Sequence, residues 1–177
     1  MIFRDLTADD IEIRVQSAKQ SGVVLLLYKN ARVDMNILDE TVGAPYWQRE
    51  HYECKGNLFC RVGIKARKNE SDGGEWVWKS DCGVESNTEA QKGEASDSFK
   101  RACFNWGIGR ELYTSPFIWI AADKCNIKES DRNGKKTYAC YDKFEVEKIK
   151  VENKQITGLA IVNVTTGKRC FLWQKEQ

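Results

Sequence analysis

The side chains of this sequence best suited to chemistry are its cations and its rings, and both recur where regular structure would hold them. Lys100 and Arg101 stand together in a segment of helical periodicity that begins near Lys92, and Arg32 opens a second such segment. Arg61, Lys65 and Arg67 alternate with apolar residues and so share one face of a strand, with Lys79 in the next stretch. Cations held at fixed spacing on helices and strands are suited to neutralising successive phosphates. Rings interleave with them: Tyr28 ahead of Arg32, Tyr46 and Trp47 at a turn, Trp76 and Trp78 flanking Lys79, Phe104 beside Lys100-Arg101. Exposed rings can stack on unpaired bases at about 1–3 kcal/mol per base. Any single Lys is by default a solubilising charge, and Trp106 belongs to an apolar stripe, whereas Phe104 lies off it.

Other chemistries are less well provided. Seven Cys (Cys54, Cys60, Cys82, Cys103, Cys125, Cys140, Cys170) are scattered without a C-x-x-C pair, and His51 is the only His, so a zinc site is not expected. The thiols read as reduced and structural. A Cys-His nucleophile would need an orienting group that nothing in the sequence selects. Gly107-Ile108-Gly109 follows a helix and lacks the rest of either nucleotide fingerprint, which disfavours an ATP-driven motor. Carboxylates such as Asp9-Asp10, Asp39-Glu40, Asp81 and Glu85 leave a small metal-dependent DNA nuclease as the alternative, although none is joined to a Lys in a compact nuclease pattern. The preferred reading is a binding protein with no catalytic residue, metal or cofactor.

The elements that must position the cations follow from periodicity. Thr7 with Asp9 and Asp10 reads as a helix start, with the helix continuing to about Lys19. Val23 to Tyr28 reads as a buried strand, and Val33, Ile37, Leu38 and Val42 as a helix stopped by Gly43-Ala44-Pro45. Trp47 to Cys54, Leu58 to Arg67 and Glu75 to Val84 read as an antiparallel meander. In its middle strand Phe59, Arg61, Gly63 and Lys65 face one way, and Leu58, Cys60, Val62, Ile64 and Ala66 the other. Ala95, Phe99, Ala102, Cys103 and Trp106 form the stripe of the clearest helix, which Gly107 ends. Lys124 to Lys136 reads as a polar loop, and Phe144 to Val151, Ile156 to Val164 and Cys170 to Trp173 as strands.

The chain has 177 residues, 41% of them apolar, with 28 Lys plus Arg against 26 Asp plus Glu. That suffices for a real core and suggests one domain or one domain with a small appendage. The net charge of +2 does not by itself mark a nucleic-acid binder, so distribution carries the argument. No apolar run approaches the length of a membrane span or a signal peptide, so a cytoplasmic protein is expected.

Lys92-Gly93-Glu94-Ala95-Ser96-Asp97-Ser98-Phe99-Lys100-Arg101-Ala102, followed by Trp106-Gly107 and Leu112-Tyr113, resembles the helix motif of the Rad-fifty-two family of single-strand annealing proteins and their Sak-type bacteriophage relatives. Ala31 to Glu40, with the strand ending at Tyr28 before it and Gly43 and Trp47 after it, is similar to a second block of that family in the same order. The resemblance covers roughly residues 5 to 115. It implies an α+β fold with an antiparallel β-β-β-α core, a three- to four-stranded meander packed on a long helix. The expected division is a DNA-binding core over 1–120, a polar loop over 121–137 and a C-terminal β-rich extension over 138–177 packing on the core. The family's DNA-contacting positions map onto Arg32, Lys92, Lys100 and Arg101. Where eukaryotic members have a further Arg one turn after Lys100 this chain has Phe104, and where they have a Tyr after the turn Gly it has Ala44, with Tyr46 close by. The function implied is ATP-independent single-strand binding and annealing in homologous recombination, phage or prophage encoded and working in the host cytoplasm. Expected partners are single-stranded DNA, duplex DNA at a second site, further copies of the chain in a ring, and a single-strand-binding protein or exonuclease, with no membrane.

Overall fold

The computed structural model describes residues 1–66, 73–84, 90–132 and 134–176. Arg67 lies outside them. The chain divides into two compact units: Met1–Arg4 with Asn30–Gly109, and Asp5–Lys29 with Arg110–Gln177. Both are α+β or β structures with antiparallel sheets.

In the first unit, helix α1 (Ala31–Val42) starts where the Asn30 side chain accepts a hydrogen bond from the Arg32 backbone N–H at 2.9 Å. Gly43 ends it at φ 86°, a left-handed angle that favours glycine, and donates its N–H to the Asp39 carbonyl. A short 3-10 turn, Ala44–Tyr46, leads into strand β3 (Trp47–Cys54). Strands β3, β4 (Asn57–Ala66) and β5 (Glu75–Cys82) form a three-stranded antiparallel sheet in that order. Lys55 and Gly56, both at positive φ, make the tight turn between β3 and β4, as a two-residue hairpin loop requires. Helix α2 (Ala90–Trp106) lies on this sheet. Its Phe99, Ala102 and Cys103 are buried, as are Cys60, Val62 and Ile64 on the matching parity of β4.

The second unit contains a six-stranded antiparallel sheet ordered β11-β10-β9-β1-β2-β6 and a separate hairpin β7-β8. Its strands are β1 (Glu12–Lys19), β2 (Gly22–Tyr28), β6 (Ile118–Ala121), β7 (Ile127–Arg132), β8 (Lys135–Cys140), β9 (Phe144–Glu152), β10 (Gln155–Asn163) and β11 (Lys168–Gln174). The N-terminal hairpin thus shares a sheet with the C-terminal strands, and the units do not follow the linear division at 120 and 138.

Two expected elements are corrected. The helix expected from Thr7 to Lys19 is a 3-10 turn, Ala8–Asp10, followed by β1. The Asp10 carboxylate does accept from the Thr7 backbone and hydroxyl, at 2.8 and 2.9 Å, but the helix start it makes is not continued. Ile11, Ile13 and Val15 alternate with polar residues, and β2 supplies a partner from Glu12↔Tyr28 to Lys19↔Gly22. The loop expected over 121–137 holds β7 and the first half of its partner β8. This hairpin is polar apart from its base, where Ile127, Tyr138 and Cys140 lie, is held by Ser130 to Thr137 at 2.8 Å and Lys136 to Glu129 at 2.8 Å, and so shows no sustained apolar alternation.

Candidate nucleic-acid interface

The side-chain parity of the three-stranded sheet sorts the predicted cations. Residues of β4 that pair with β3 and β5 share a face with their partners. One face, carrying Trp47, Arg49 and His51 from β3, Cys60, Val62 and Ile64 from β4, and Lys79 and Asp81 from β5, meets α2. His51 Nε2 lies 3.1 Å from the Ala95 carbonyl, and Trp106 Nε1 donates to the Val62 carbonyl at 2.9 Å. Trp47 stacks on Phe99 with centroids 6.2 Å apart, and the exposed Arg49 places its guanidinium 4.7 Å above the same ring.

Lys100 and Arg101 rise from α2 beside these contacts, each partly exposed. Arg101 Nε reaches Asp81 Oδ1 at 3.4 Å while its side chain remains 40% exposed, which holds the guanidinium in place without withdrawing it from solvent. Lys100 forms no ion pair with a described residue. Phe104, one turn further along the same flank, is partly buried. Arg32 is exposed in the first turn of α1, where the Asn30 cap fixes its backbone. Tyr46 is partly buried in the 3-10 turn after α1, its ring against Gly43. Lys92 lies in α2, and its side chain is outside the described residues.

Of the remaining described cations, Lys79 and Arg61 are engaged within the unit. Lys79 donates from Nζ to the Asn105 carbonyl at 2.8 Å and lies 4.7 Å from the Trp106 ring, so it closes the C-terminal end of α2. Arg61 and Lys65 occupy the face away from α2. There Arg61 binds Glu50 Oε2 through Nε at 2.9 Å and Nη2 at 2.6 Å, and its guanidinium lies 4.3 Å over Trp78. Lys65 is paired across the strands with Trp76. Tyr28 belongs to the second unit, beneath Arg14 at 5.8 Å; its phenol pKa is raised, first by a hydrogen bond to the Glu12 carboxylate.

Sequence reasoning did not single out Arg49 as a cation or Tyr52 and Phe59 as rings of this sheet. Their signal was parity: Arg49 shares a face with Trp47 and His51, and Tyr52 pairs with Phe59 on the face of Arg61. Cys60 and Cys125 are pushed up to about 11, chiefly by burial, which keeps both as unreactive thiols. Among the described residues no three His, Cys, Asp or Glu side chains are grouped to hold a metal ion.

Antiparallel sheets with two α-helices define an α+β protein, whose first unit presents Lys100 and Arg101 side by side on α2. The chain belongs to the Rad52/22 family of double-strand break repair proteins, whose sequence profile matches residues 2–132. Membership places it in DNA repair and recombination. No curated protein sequence and no solved structure matches the chain. Among the described residues no helix is long and apolar enough to cross a membrane.

Proposed function

We propose that the protein is an ATP-independent single-stranded DNA-binding and annealing protein of homologous recombination, phage or prophage encoded and acting as a ring or filament of identical subunits. The observation that carries this reading is the adjacent, partly exposed pair Lys100 and Arg101 on α2 in a chain of this family. Annealing breaks and makes no covalent bond, because base pairing supplies the free energy. The protein has to hold phosphates, keep base edges free and present one strand to another. Lys100 and Arg101, with Arg32 at the start of α1 and Lys92 earlier on α2, hold the backbone; Tyr46 in the turn after α1 and Phe104 three residues after Arg101 are the rings that meet the bases. Arg61, Lys65 and Arg67 meet a second strand. Repetition around an oligomer turns a subunit charge of +2 into a continuous basic track, since only the cations on that track need face the DNA.

The test is annealing of two labelled complementary strands by the purified protein without ATP, followed by electron microscopy of the same sample. Accelerated pairing with rings or filaments supports the proposal. Pairing at the spontaneous rate, or cleavage of a labelled strand with Mg²⁺ that chelator abolishes, rejects it.

A further inference from the structure

The face of the three-stranded sheet turned away from α2 has no role in the core, yet its composition is far from random. The sheet's aliphatic residues Leu58, Val62, Ile64 and Val77 all fall on the parity that meets the helix. The opposite parity carries four rings instead: Tyr52 and Phe59, stacked at 5.6 Å and 21°, and Trp76 and Trp78, 6.0 Å apart at 33°. Tyr52 is 40% exposed, and both Trp are partly exposed. Gly63 lies under Trp78, where a Cβ would come within 2.8 Å of the indole, so the glycine lets that ring lie against the sheet.

Charge on this face is sorted as well. Glu53, Glu75 and Asp81 point with the helix parity. Among the described residues, the one carboxylate of this face, Glu50, is taken up by Arg61, which itself stacks on Trp78. Lys65 remains, directly across from Trp76, so the described face is net positive. Along β4 the order is ring, cation, ring-covered glycine, cation. Phe59 and Gly63 are about 13 Å apart at the rise of a strand, too far for neighbouring bases stacked at about 3.4 Å. An extended strand with unstacked bases fits that spacing.

We propose that this open face is a stacking site for the unpaired bases of a single-stranded nucleic acid, separate from the phosphate contacts of α2. The proposal rests on the reading of the protein as a single-strand binder. Charge complementarity selects a polyanion as the occupant, because Glu50 is neutralised by Arg61 and the described face keeps Lys65 as a surplus cation beside rings that can stack on bases.

The test compares wild type with Tyr52→Leu/Trp76→Leu on two labelled strands of equal length and charge: oligothymidylate and a fully abasic phosphodiester. The variant should bind oligothymidylate at least about tenfold more weakly and the abasic strand unchanged. Unchanged oligothymidylate binding, or an equal loss on both strands, overturns the proposal. A variant whose subunits dissociate in sedimentation while DNA affinity persists assigns the face to contacts between copies, and also overturns it. Cross-linking of a 5-bromouracil strand to the unmodified protein decides the matter without any variant: adducts should map to β3 or β5, and adducts confined to α1 and α2 refute the site. Wild type that binds neither strand refutes the wider reading instead.

Discussion

Replacing Lys100 and Arg101 together by Ala tests the proposed phosphate site on two quantities that the structure separates. The stability cost should be small. Arg101 meets Asp81 only at 3.4 Å, with side chains 40% and 29% exposed, a surface pair contributing at most about 1 kcal/mol. Lys100 makes no ion pair with a described residue, so its truncation removes little beyond packing of its stem. The binding cost should be larger. Each phosphate neutralised on a single strand contributes about 0.7 to the slope of log K against log salt, so losing two lowers that slope by about 1.4 per engaged subunit. At about 0.15 M salt this counterion term corresponds to roughly a tenfold loss of affinity per subunit. The partly exposed Asp81 left behind adds repulsion in the same direction. Fluorescence anisotropy of a labelled oligonucleotide titrated at several salt concentrations reads both effects, with urea unfolding as the control for stability. A folded variant with the wild-type slope would refute the assignment of these cations to DNA.

Three further outcomes follow from individual contacts. Gly83→Ala places a Cβ 2.3 Å from the Glu94 carbonyl oxygen and 3.0 Å from the Ser98 nitrogen, both backbone atoms of α2. The helix must back away from the sheet, at a cost of about 1–3 kcal/mol in urea unfolding, and unchanged stability would contradict this packing. Lys79→Met removes the ammonium that closes α2 and should lower stability by about 1–2 kcal/mol while leaving the salt slope of DNA binding intact; a fallen slope would instead make Lys79 a phosphate contact. At Asp142, burial works to raise the carboxyl pKa, but hydrogen bonds from the Asn126 side chain and backbone and from Asn163 outweigh it and hold the group below its ordinary value. A depressed folded pKa contributes stability that is present above the unfolded value of about 3.9 and lost as pH falls through the folded one. The advantage of wild type over Asp142→Asn in unfolding free energy should therefore shrink below about pH 4, and parallel profiles for the two would exclude the linkage.

The elements that sequence made legible are those whose partner is written into their own periodicity. Phe99, Ala102 and Cys103 recur at helical spacing, and all three are buried. Asn30 and Gly43 bracket α1 with a cap and a left-handed stop that their residue types favour. The stretch from Glu12 to Lys19 was misread because the Thr7–Asp10 turn is a true local helix signal. The alternation of Ile11, Ile13 and Val15 becomes a strand only once β2 lies beside it. The β7-β8 hairpin was hidden for the opposite reason: its cross-strand pairs are polar, and hydropathy does not register Ser130 with Thr137 or Glu129 with Lys136.

The same division holds for the candidate site. Residue type and spacing by themselves determined that Lys100 and Arg101 stand off the apolar stripe of a helix, and that Phe59, Arg61 and Lys65 share a strand face, because helical and strand periods are local properties of the backbone. Tertiary structure alone decided which cations remain available. Lys79 is engaged on the last turn of α2, and Arg61 is held between Glu50 and Trp78 with its side chain still 43% exposed, whereas Arg32 stays exposed. It also decided that Tyr52, from another strand, joins Phe59, and that Trp76 stands across from Lys65. Such pairings depend on register between strands distant in sequence, which no local pattern encodes.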